Sequence, residues 1–266
     1  MTGSSISNEA SVAHDTVPEQ RRARERAAAL QARRRLADVR AATEVLAGHV
    51  TSLDDRRMRE PSLLPGWSRA HVVTHLARNA DGLVNLLTWA RTGVEHPIYA
   101  SDADREADIE EGAGRLAQVL HEDLLASSER FAVACERLSD SQWSASVTAR
   151  NPVPFPASAI PGLRLFELWT HLVDLDVGFG FEDIPADLLE VATTSAVARH
   201  LNRPEGPSVH LRVIFPDGEE RVWDLVGGGG TVHEVTGEAA EVIGWLTGRR
   251  DGSTLRGEVP DLPAWG

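Results

Sequence analysis

The segment from Arg164 to Asp174 constrains this chain most, because it places two carboxylates and a histidine within an apolar helical pattern. Its sequence is Arg-Leu-Phe-Glu-Leu-Trp-Thr-His-Leu-Val-Asp. Glu167 and His171 are four residues apart, so on a helix they share one face, with Cβ atoms roughly 5–6 Å apart. Apolar neighbours crowd both side chains, and a buried charge needs a partner or an ion. The segment therefore predicts a core helix with a polar site on one face.

A second strongly patterned helix carries the candidate partner. Ser68 is placed to cap its N-terminus, and Gly93 ends it after about Thr92. Apolar residues repeat at helical spacing along it, and His75 lies beside that stripe. His75 is therefore expected to point inward, toward the helix that carries Glu167 and His171.

Two histidines and a glutamate from two helices form a suitable set of ligands for one divalent ion. His71 is a rival ligand, because it lies one turn from His75. A Glu/His pair four residues apart is also compatible with a surface contact or with a satisfied hydrogen bond in the core. Asp174, one turn beyond His171 on the same stripe, is expected beside the ligands or at the pocket wall, and Asn79 is a weaker candidate for such a position.

Composition and charge exclude several classes of function. The chain has 266 residues, of which 42% are hydrophobic and 25% charged, as in an ordinary globular protein. Its net charge of −13 is unfavourable for binding nucleic acid, and the basic stretch 21–40 is read as the exposed face of a first helix. No apolar run approaches a membrane span or a signal-peptide core. We therefore expect a cytoplasmic protein that binds neither nucleic acid nor membrane.

The pattern along the chain predicts an α+β protein. Residues 1–18 lack periodicity and are expected to form a disordered extension. Residues 19–182 are expected to form an antiparallel four-helix bundle with the metal in its core. The predicted helices cover about 19–51, 68–92, 103–138 and a fourth segment between Pro161 and Gly178.

Residues 183–266 are expected to form a bridging helix and a small C-terminal α+β domain. Strands are predicted near 208–215, 220–226 and 231–235, and a helix near 237–248. The four-glycine run 227–230 lacks the Lys-Ser/Thr end of a phosphate loop, so it is interpreted as a hairpin turn. The domain is expected to shape the active-site cleft, although it could simply cover an apolar face of the bundle.

The residues that carry these features also resemble a known family. Pro-Gly-Trp-Ser at 65–68, His-Leu-Ala-Arg-Asn-Ala-Asp at 75–81, the Arg/Glu/His/Asp pattern of 164–174 and the C-terminal domain together resemble the mycothiol-dependent maleylpyruvate isomerase family. This family lies within a larger superfamily of metal-binding four-helix thiol transferases. The resemblance covers roughly residues 30–266.

The resemblance implies that His75, Glu167 and His171 bind one divalent ion, expected to be zinc, and that mycothiol is the thiol cofactor. It also implies that Arg105 matches a catalytic arginine, although an i,i+3 salt bridge with Asp102 or Asp108 would explain that residue equally well. The implied reaction is the cis–trans isomerisation of maleylpyruvate, an unsaturated keto-dicarboxylate, to fumarylpyruvate in gentisate-type aromatic degradation. A mycothiol S-transferase, a conjugate-processing metalloenzyme and a non-catalytic metal-stabilised binding module remain alternatives.

Overall fold

The computed structural model describes residues 17–150, 153–201 and 203–264. The N-terminal part is helical: α1 (Val17–Thr51), α2 (Asp55–Met58), α3 (Arg69–Thr92), α4 (Asp102–Ala113), α5 (Ala117–Glu136) and α6 (Ile160–Asp174). Two short antiparallel strands, β1 (Ser146–Val147) and β2 (Phe155–Pro156), lie between α5 and α6. Helices α1 and α3 each pack against both α5 and α6, so the four long helices form the predicted bundle.

Local signals set the ends of α3, as the sequence predicts. Ser68 is in extended conformation before the helix, and its backbone N–H donates to Nδ1 of His71. Gly93 adopts a left-handed conformation with φ of 73°, and its N–H donates to the carbonyl of Trp89. His75 is the seventh residue of this helix and is buried.

The single helix predicted for 103–138 is wrong: the chain forms α4 and α5 with a break at 114–116. At the end of α4 the N–H of Gly114 donates to the carbonyl of Glu111 at 3.4 Å, and the N–H of Arg115 donates to the carbonyl of Gly112 at 3.1 Å. Gly112 packs so closely on α3 that an added Cβ would lie 2.3 Å from Cγ2 of Thr74. The break lets α4 lie across α3, which brings Arg105 to the polar centre of the bundle.

The C-terminal part contains α7 (Ala186–Ala198), β3 (Ser208–Ile214), β4 (Glu220–Leu225), β5 (Val232–Glu238), α8 (Ala239–Leu246) and β6 (Arg256–Gly257). The strand order is β4-β3-β5-β6, in which β3 pairs antiparallel with β4 and parallel with β5. The fold is therefore α+β, with a helical bundle and a small mixed sheet, as predicted.

The glycine run 227–230 is not a hairpin turn, which corrects the sequence interpretation. Strands β4 and β5 lie on opposite edges of β3, so this segment carries the chain across the end of the sheet. An added Cβ on Gly227 would lie 2.0 Å from the carbonyl oxygen of Gly206, and one on Gly228 would lie 2.2 Å from that of Pro204. Glycine is required there because two backbone segments touch.

One hydrophobic core joins the two parts of the chain. Helix α7 packs against both α6 and α8, and Leu168, Ala192 and Ile243 from these three helices are all buried in the same cluster.

The sequence predicts a disordered extension for residues 1–18. Residues 1–16 of this extension lie outside the described residues, whereas Val17 and Pro18 begin α1. In the described part of the chain, no helix combines the length and apolarity that crossing a membrane requires.

Candidate metal centre

The structure brings His75, Glu167 and His171 together between α3 and α6. Oε2 of Glu167 is 3.2 Å from Nε2 of His75 and 3.3 Å from Nε2 of His171. The two imidazole rings lie nearly perpendicular, with centres 4.6 Å apart. Within the described residues, this is the one group of three or more His, Cys, Asp or Glu side chains whose donor atoms all lie within 4.8 Å of one another.

The spacing of these donor atoms fits a tetrahedral divalent ion. Ligand bonds of about 2.0–2.1 Å, as in zinc proteins, place neighbouring donor atoms of a tetrahedron about 3.3–3.4 Å apart. The two distances from Oε2 of Glu167 are close to this value. Two imidazole nitrogens and one carboxylate oxygen are also a common catalytic zinc set, which leaves a fourth position for a small molecule.

His75 is held as a neutral imidazole. It is buried, and burial lowers its pKa to about 4 although the hydrogen bond to Glu167 opposes this shift. Nη2 of Arg105 lies 3.1 Å from its Nδ1 atom, and the Trp67 ring packs with its centre 5.6 Å away. With Nδ1 accepting from Arg105, the neutral ring carries its proton on Nε2, toward Glu167, and binding of a metal at Nε2 requires that proton to leave Nε2.

Glu167 is held as a carboxylate with both oxygens engaged. Burial alone would raise its pKa, but hydrogen bonds from His171 and His75 hold the pKa well below its usual range. Oε2 faces the two histidines, and Oε1 accepts a hydrogen bond from Nη2 of Arg199 at 3.1 Å. The Arg199 contact favours binding of an ion through Oε2 alone.

A buried carboxylate orients His171. Nδ1 of His171 donates to Oδ2 of Asp174 at 2.8 Å, and Asp174 is completely buried. Arg249 donates to both oxygens of Asp174, from Nε at 3.0 Å and from Nη2 at 2.8 Å. Burial would lower the pKa of His171, but the bonds to Asp174 and Glu167 raise it. Burial would raise the pKa of Asp174, but His171 and Arg249 lower it.

This arrangement directs Nε2 of His171 toward the cluster, because its other nitrogen is committed to a carboxylate. Asp174 thus lies where the sequence pattern placed it, directly behind a candidate ligand. Arg249 follows α8, so the C-terminal part of the chain reaches the centre rather than only covering the bundle.

His71 is turned away from the cluster. Its Nδ1 atom bonds to Ser68, and its Nε2 atom lies 3.1 Å from Glu110. Both ring nitrogens are engaged at the start of α3, which argues against His71 as a rival ligand. Glu167 and His171 are only 16% and 12% exposed, so they are also not a solvated surface pair.

Arg105 reaches the centre from α4 instead of forming the local ion pair that the sequence allowed. Besides its contact with His75, its guanidinium carbon lies 5.7 Å from the centre of the Tyr99 ring. Asp102 pairs with Arg150 at 2.9 Å. Arg105 therefore contacts a candidate ligand directly, which is compatible with the role that the family resemblance implies.

Similarity to known proteins identifies the family. The family model described as the mycothiol maleylpyruvate isomerase N-terminal domain matches residues 39–176, which is more than half of the chain. The chain belongs to this family. Two Mycobacterium tuberculosis proteins, from strains CDC 1551 and H37Rv and both described as uncharacterized, are 26% identical to it over 243 residues. The match covers 83% of this chain and 87% of theirs.

Solved structures match this chain over both its N-terminal helical part and its C-terminal part. Crystal structures of the mycothiol-dependent maleylpyruvate isomerase and of an alanine mutant superpose with a TM-score of 0.76, at 30% and 29% identity. The match covers 88% of this chain and 97% of those chains. The similarity therefore includes the C-terminal sheet as well as the bundle.

Three arginines around the centre of this maleylpyruvate isomerase family member received no site role from the sequence, although Arg164 is part of the pattern that carries the family resemblance. Arg164 is fully buried and donates from Nη1 to the carbonyl of Leu76 and to Oδ1 of Asn79, at 2.8 and 2.9 Å. Burial lowers the pKa of Arg164 to about 10, so it stays a cation at neutral pH. Its position within an apolar helix was a usable signal. Arg199 and Arg249 gave none, because only the tertiary fold brings them close.

Among the residues that the structure describes, guanidinium groups outnumber carboxylates at this centre. Four arginines but only two carboxylates lie at the candidate ligands or next to them. The arginines are Arg105, Arg164, Arg199 and Arg249, and the carboxylates are Glu167 and Asp174. This excess lies in a chain whose net charge is −13. A local concentration of positive charge attracts anions, so the centre is suited to a negatively charged ligand.

Proposed function

We propose that this protein is a mycothiol-dependent cis–trans isomerase that converts maleylpyruvate to fumarylpyruvate, with one divalent ion, zinc, held by His75, Glu167 and His171. The convergence of three donor atoms at zinc-like spacing, with Arg105 and Arg199 each in contact with one of the candidate ligands, carries this proposal. The similarity to the crystal structures of the mycothiol-dependent maleylpyruvate isomerase supports it.

The chemistry follows from the substrate. A carbon–carbon double bond does not rotate until its π bond is broken. The double bond of maleylpyruvate is conjugated to a carbonyl group, so the substrate can add a thiolate. The adduct then rotates about the resulting single bond and expels the thiolate, which leaves the trans isomer. No atoms are gained or lost overall, which suits a thiol that acts as a cofactor.

The chain's own residues hold the reacting groups in place. Neutral His75, ionised Glu167 and oriented His171 would hold the ion, which when bound would lower the pKa of a coordinated thiol. Arg105, next to His75, is placed to bind a substrate carboxylate or the enolate oxygen that develops during thiol addition. Its planar fork of donors suits either anion.

A direct assay tests the proposal. Zinc-loaded protein is mixed with maleylpyruvate, and fumarylpyruvate formation is followed spectroscopically with and without mycothiol, beside a mycothiol blank without protein. We expect turnover only when protein and mycothiol are both present, and its loss in His171→Ala. The matched control is His210→Ala, which replaces a partly exposed histidine on β3 that pairs with Asp224. Turnover without mycothiol, or none with it, would contradict the proposal.

A further inference from the structure

Tyr99, the single tyrosine of the chain, lies beside Arg105. The guanidinium carbon of Arg105 is 5.7 Å from the centre of the Tyr99 ring, and its Nη2 atom is 3.1 Å from Nδ1 of His75. One guanidinium therefore contacts both the phenol ring and a candidate metal ligand. Tyr99 is linked to the candidate metal centre through Arg105.

The phenol oxygen of Tyr99 accepts hydrogen bonds from two helices. Burial raises the pKa of Tyr99, whereas the charge of Arg105 and side-chain hydrogen bonds with Arg105 and Asn79 lower it. A hydrogen bond that is donated to a phenol oxygen favours the phenolate and so lowers the pKa, and a guanidinium can only donate. Oδ1 of Asn79 accepts from Nη1 of Arg164 at 2.9 Å, and its amide NH₂ group donates to the phenol. Donors from α4 and α3 therefore meet at one oxygen.

The backbone that carries Tyr99 rests directly on α3. An added Cβ on Gly82 would lie 2.8 Å from the carbonyl oxygen of Ile98 and 3.0 Å from Cε1 of Tyr99. Nδ2 of Asn85, about one turn further along α3, donates to the same carbonyl oxygen at 3.4 Å. Glycine destabilises the interior of a helix, but here it permits this close approach. The position of Tyr99 is thus fixed by the helix that also carries His75.

Arg105 is held by uncharged groups. Among the residues that the structure describes, no carboxylate forms an ion pair with Arg105, and its guanidinium contacts the imidazole of His75 and the phenol of Tyr99. A carboxylate at this point would fix the guanidinium but would also neutralise its charge. A phenol fixes the guanidinium through its oxygen and its ring and leaves the positive charge to attract an anion.

We infer that Tyr99 is a positioning residue, which fixes the guanidinium of Arg105 beside His75 and acts on the reaction through Arg105. This inference rests on the proposed function for the anion that Arg105 binds, which is a substrate carboxylate or the developing enolate. Ordering a long side chain costs conformational entropy. Because Tyr99 orders Arg105 before the anion forms, that cost does not add to the reaction barrier.

A double-mutant cycle tests the inference. Tyr99→Phe keeps the ring and removes the phenol oxygen, and Arg105→Ala removes the guanidinium. Turnover of maleylpyruvate with mycothiol is measured for wild type, both single variants and the double variant, each zinc-loaded and checked by elemental analysis. The control is Thr193→Val, which removes a buried hydroxyl that bonds to the carbonyl of Leu189 within α7.

We expect Tyr99→Phe to lower turnover about tenfold, the scale of one hydrogen bond to a charged group, with zinc content unchanged. The same change should have no further effect in Arg105→Ala, because no guanidinium is left to position. Thr193→Val should turn over as wild type does. Full turnover in Tyr99→Phe would refute the inference. A tenfold loss that persists in the Arg105→Ala background would also refute it, because Tyr99 would then act independently of Arg105.

A spectroscopic measurement tests the contact without relying on turnover or on the folding of Tyr99→Phe. Tyrosine labelled with carbon-13 at the hydroxyl-bearing ring carbon gives one NMR resonance, because Tyr99 is the single tyrosine. Arg105→Ala should shift this resonance, whereas Thr193→Val should not. An unshifted resonance in Arg105→Ala would show that Arg105 does not bond to the phenol, and the inference would be wrong. If the resonance shifts but wild type does not isomerise maleylpyruvate, Tyr99 still holds Arg105 and the proposed reaction is wrong.

Discussion

Replacement of Asp174 by asparagine is the sharpest test of how the centre is built. The carboxylate is completely buried and receives hydrogen bonds from Nδ1 of His171 and from Nε and Nη2 of Arg249. Asparagine keeps the size and one acceptor oxygen but removes the charge and presents an amide NH₂ group to donors. The guanidinium of Arg249, whose side chain is only 9% exposed, then lacks its counterion.

The magnitude follows from these contacts. Removing one partner of a buried ion pair costs about 3–5 kcal/mol, and the oxygen that asparagine retains favours the lower end, about 3 kcal/mol. Loss of the group that orients a metal-binding histidine typically weakens metal affinity about 10–100-fold. We therefore expect Asp174→Asn to lower both the free energy of unfolding of the metal-free protein and its zinc affinity.

Two measurements and one control check this prediction. Urea unfolding of metal-free protein gives the stability, and competition with a chromophoric chelator gives the zinc affinity. Asp123→Asn is the control, because Asp123 also pairs with an arginine but is not in contact with the candidate ligands. Its two carboxylate oxygens accept from Nη2 of Arg78 at 2.8 and 2.7 Å. It should lower stability by about 1 kcal/mol and leave zinc affinity unchanged. Wild-type zinc affinity in Asp174→Asn would refute the reasoning.

Arg105, His171 and Gly112 each allow a separate test. Arg105→Ala should reduce turnover about 10²–10³-fold with unchanged zinc content, and a loss of stability with full turnover would instead make Arg105 a structural residue. Because the pKa of His171 is raised above its ordinary value of about 6.5, protons compete with zinc below that pKa. Zinc affinity measured by chelator competition should therefore rise from pH 6 to pH 8, and a flat profile would contradict this. Gly112→Ala should lower the free energy of unfolding by about 1–3 kcal/mol in urea titrations, because its Cβ would meet Thr74 at 2.3 Å, whereas Gly48→Ala, with no atom within 4 Å, should not.

The sequence by itself determined the elements whose signals are local. Ser68 and Gly93 set the ends of α3 because capping and left-handed backbone preferences act within a few residues. The four-residue spacing of Glu167 and His171 placed both side chains on one face of α6 because helical periodicity is fixed. The inward position of His75 followed from the same periodicity, so the candidate ligands could be named from the sequence.

The tertiary structure alone decided how distant segments meet at the centre. Glu167 is 32 residues from Arg199, and Asp174 is 75 residues from Arg249. Gly112, just before the helix break at 114–116, packs closely on Thr74 of α3. The glycine run 227–230 connects β4 to β5, which lies on the other side of β3. These contacts depend on how whole elements pack against one another, and no periodicity or capping rule within one segment carries that information. The candidate ligands could therefore be predicted from sequence, but the contacts of Arg199 with Glu167 and of Arg249 with Asp174 became visible only in the folded chain.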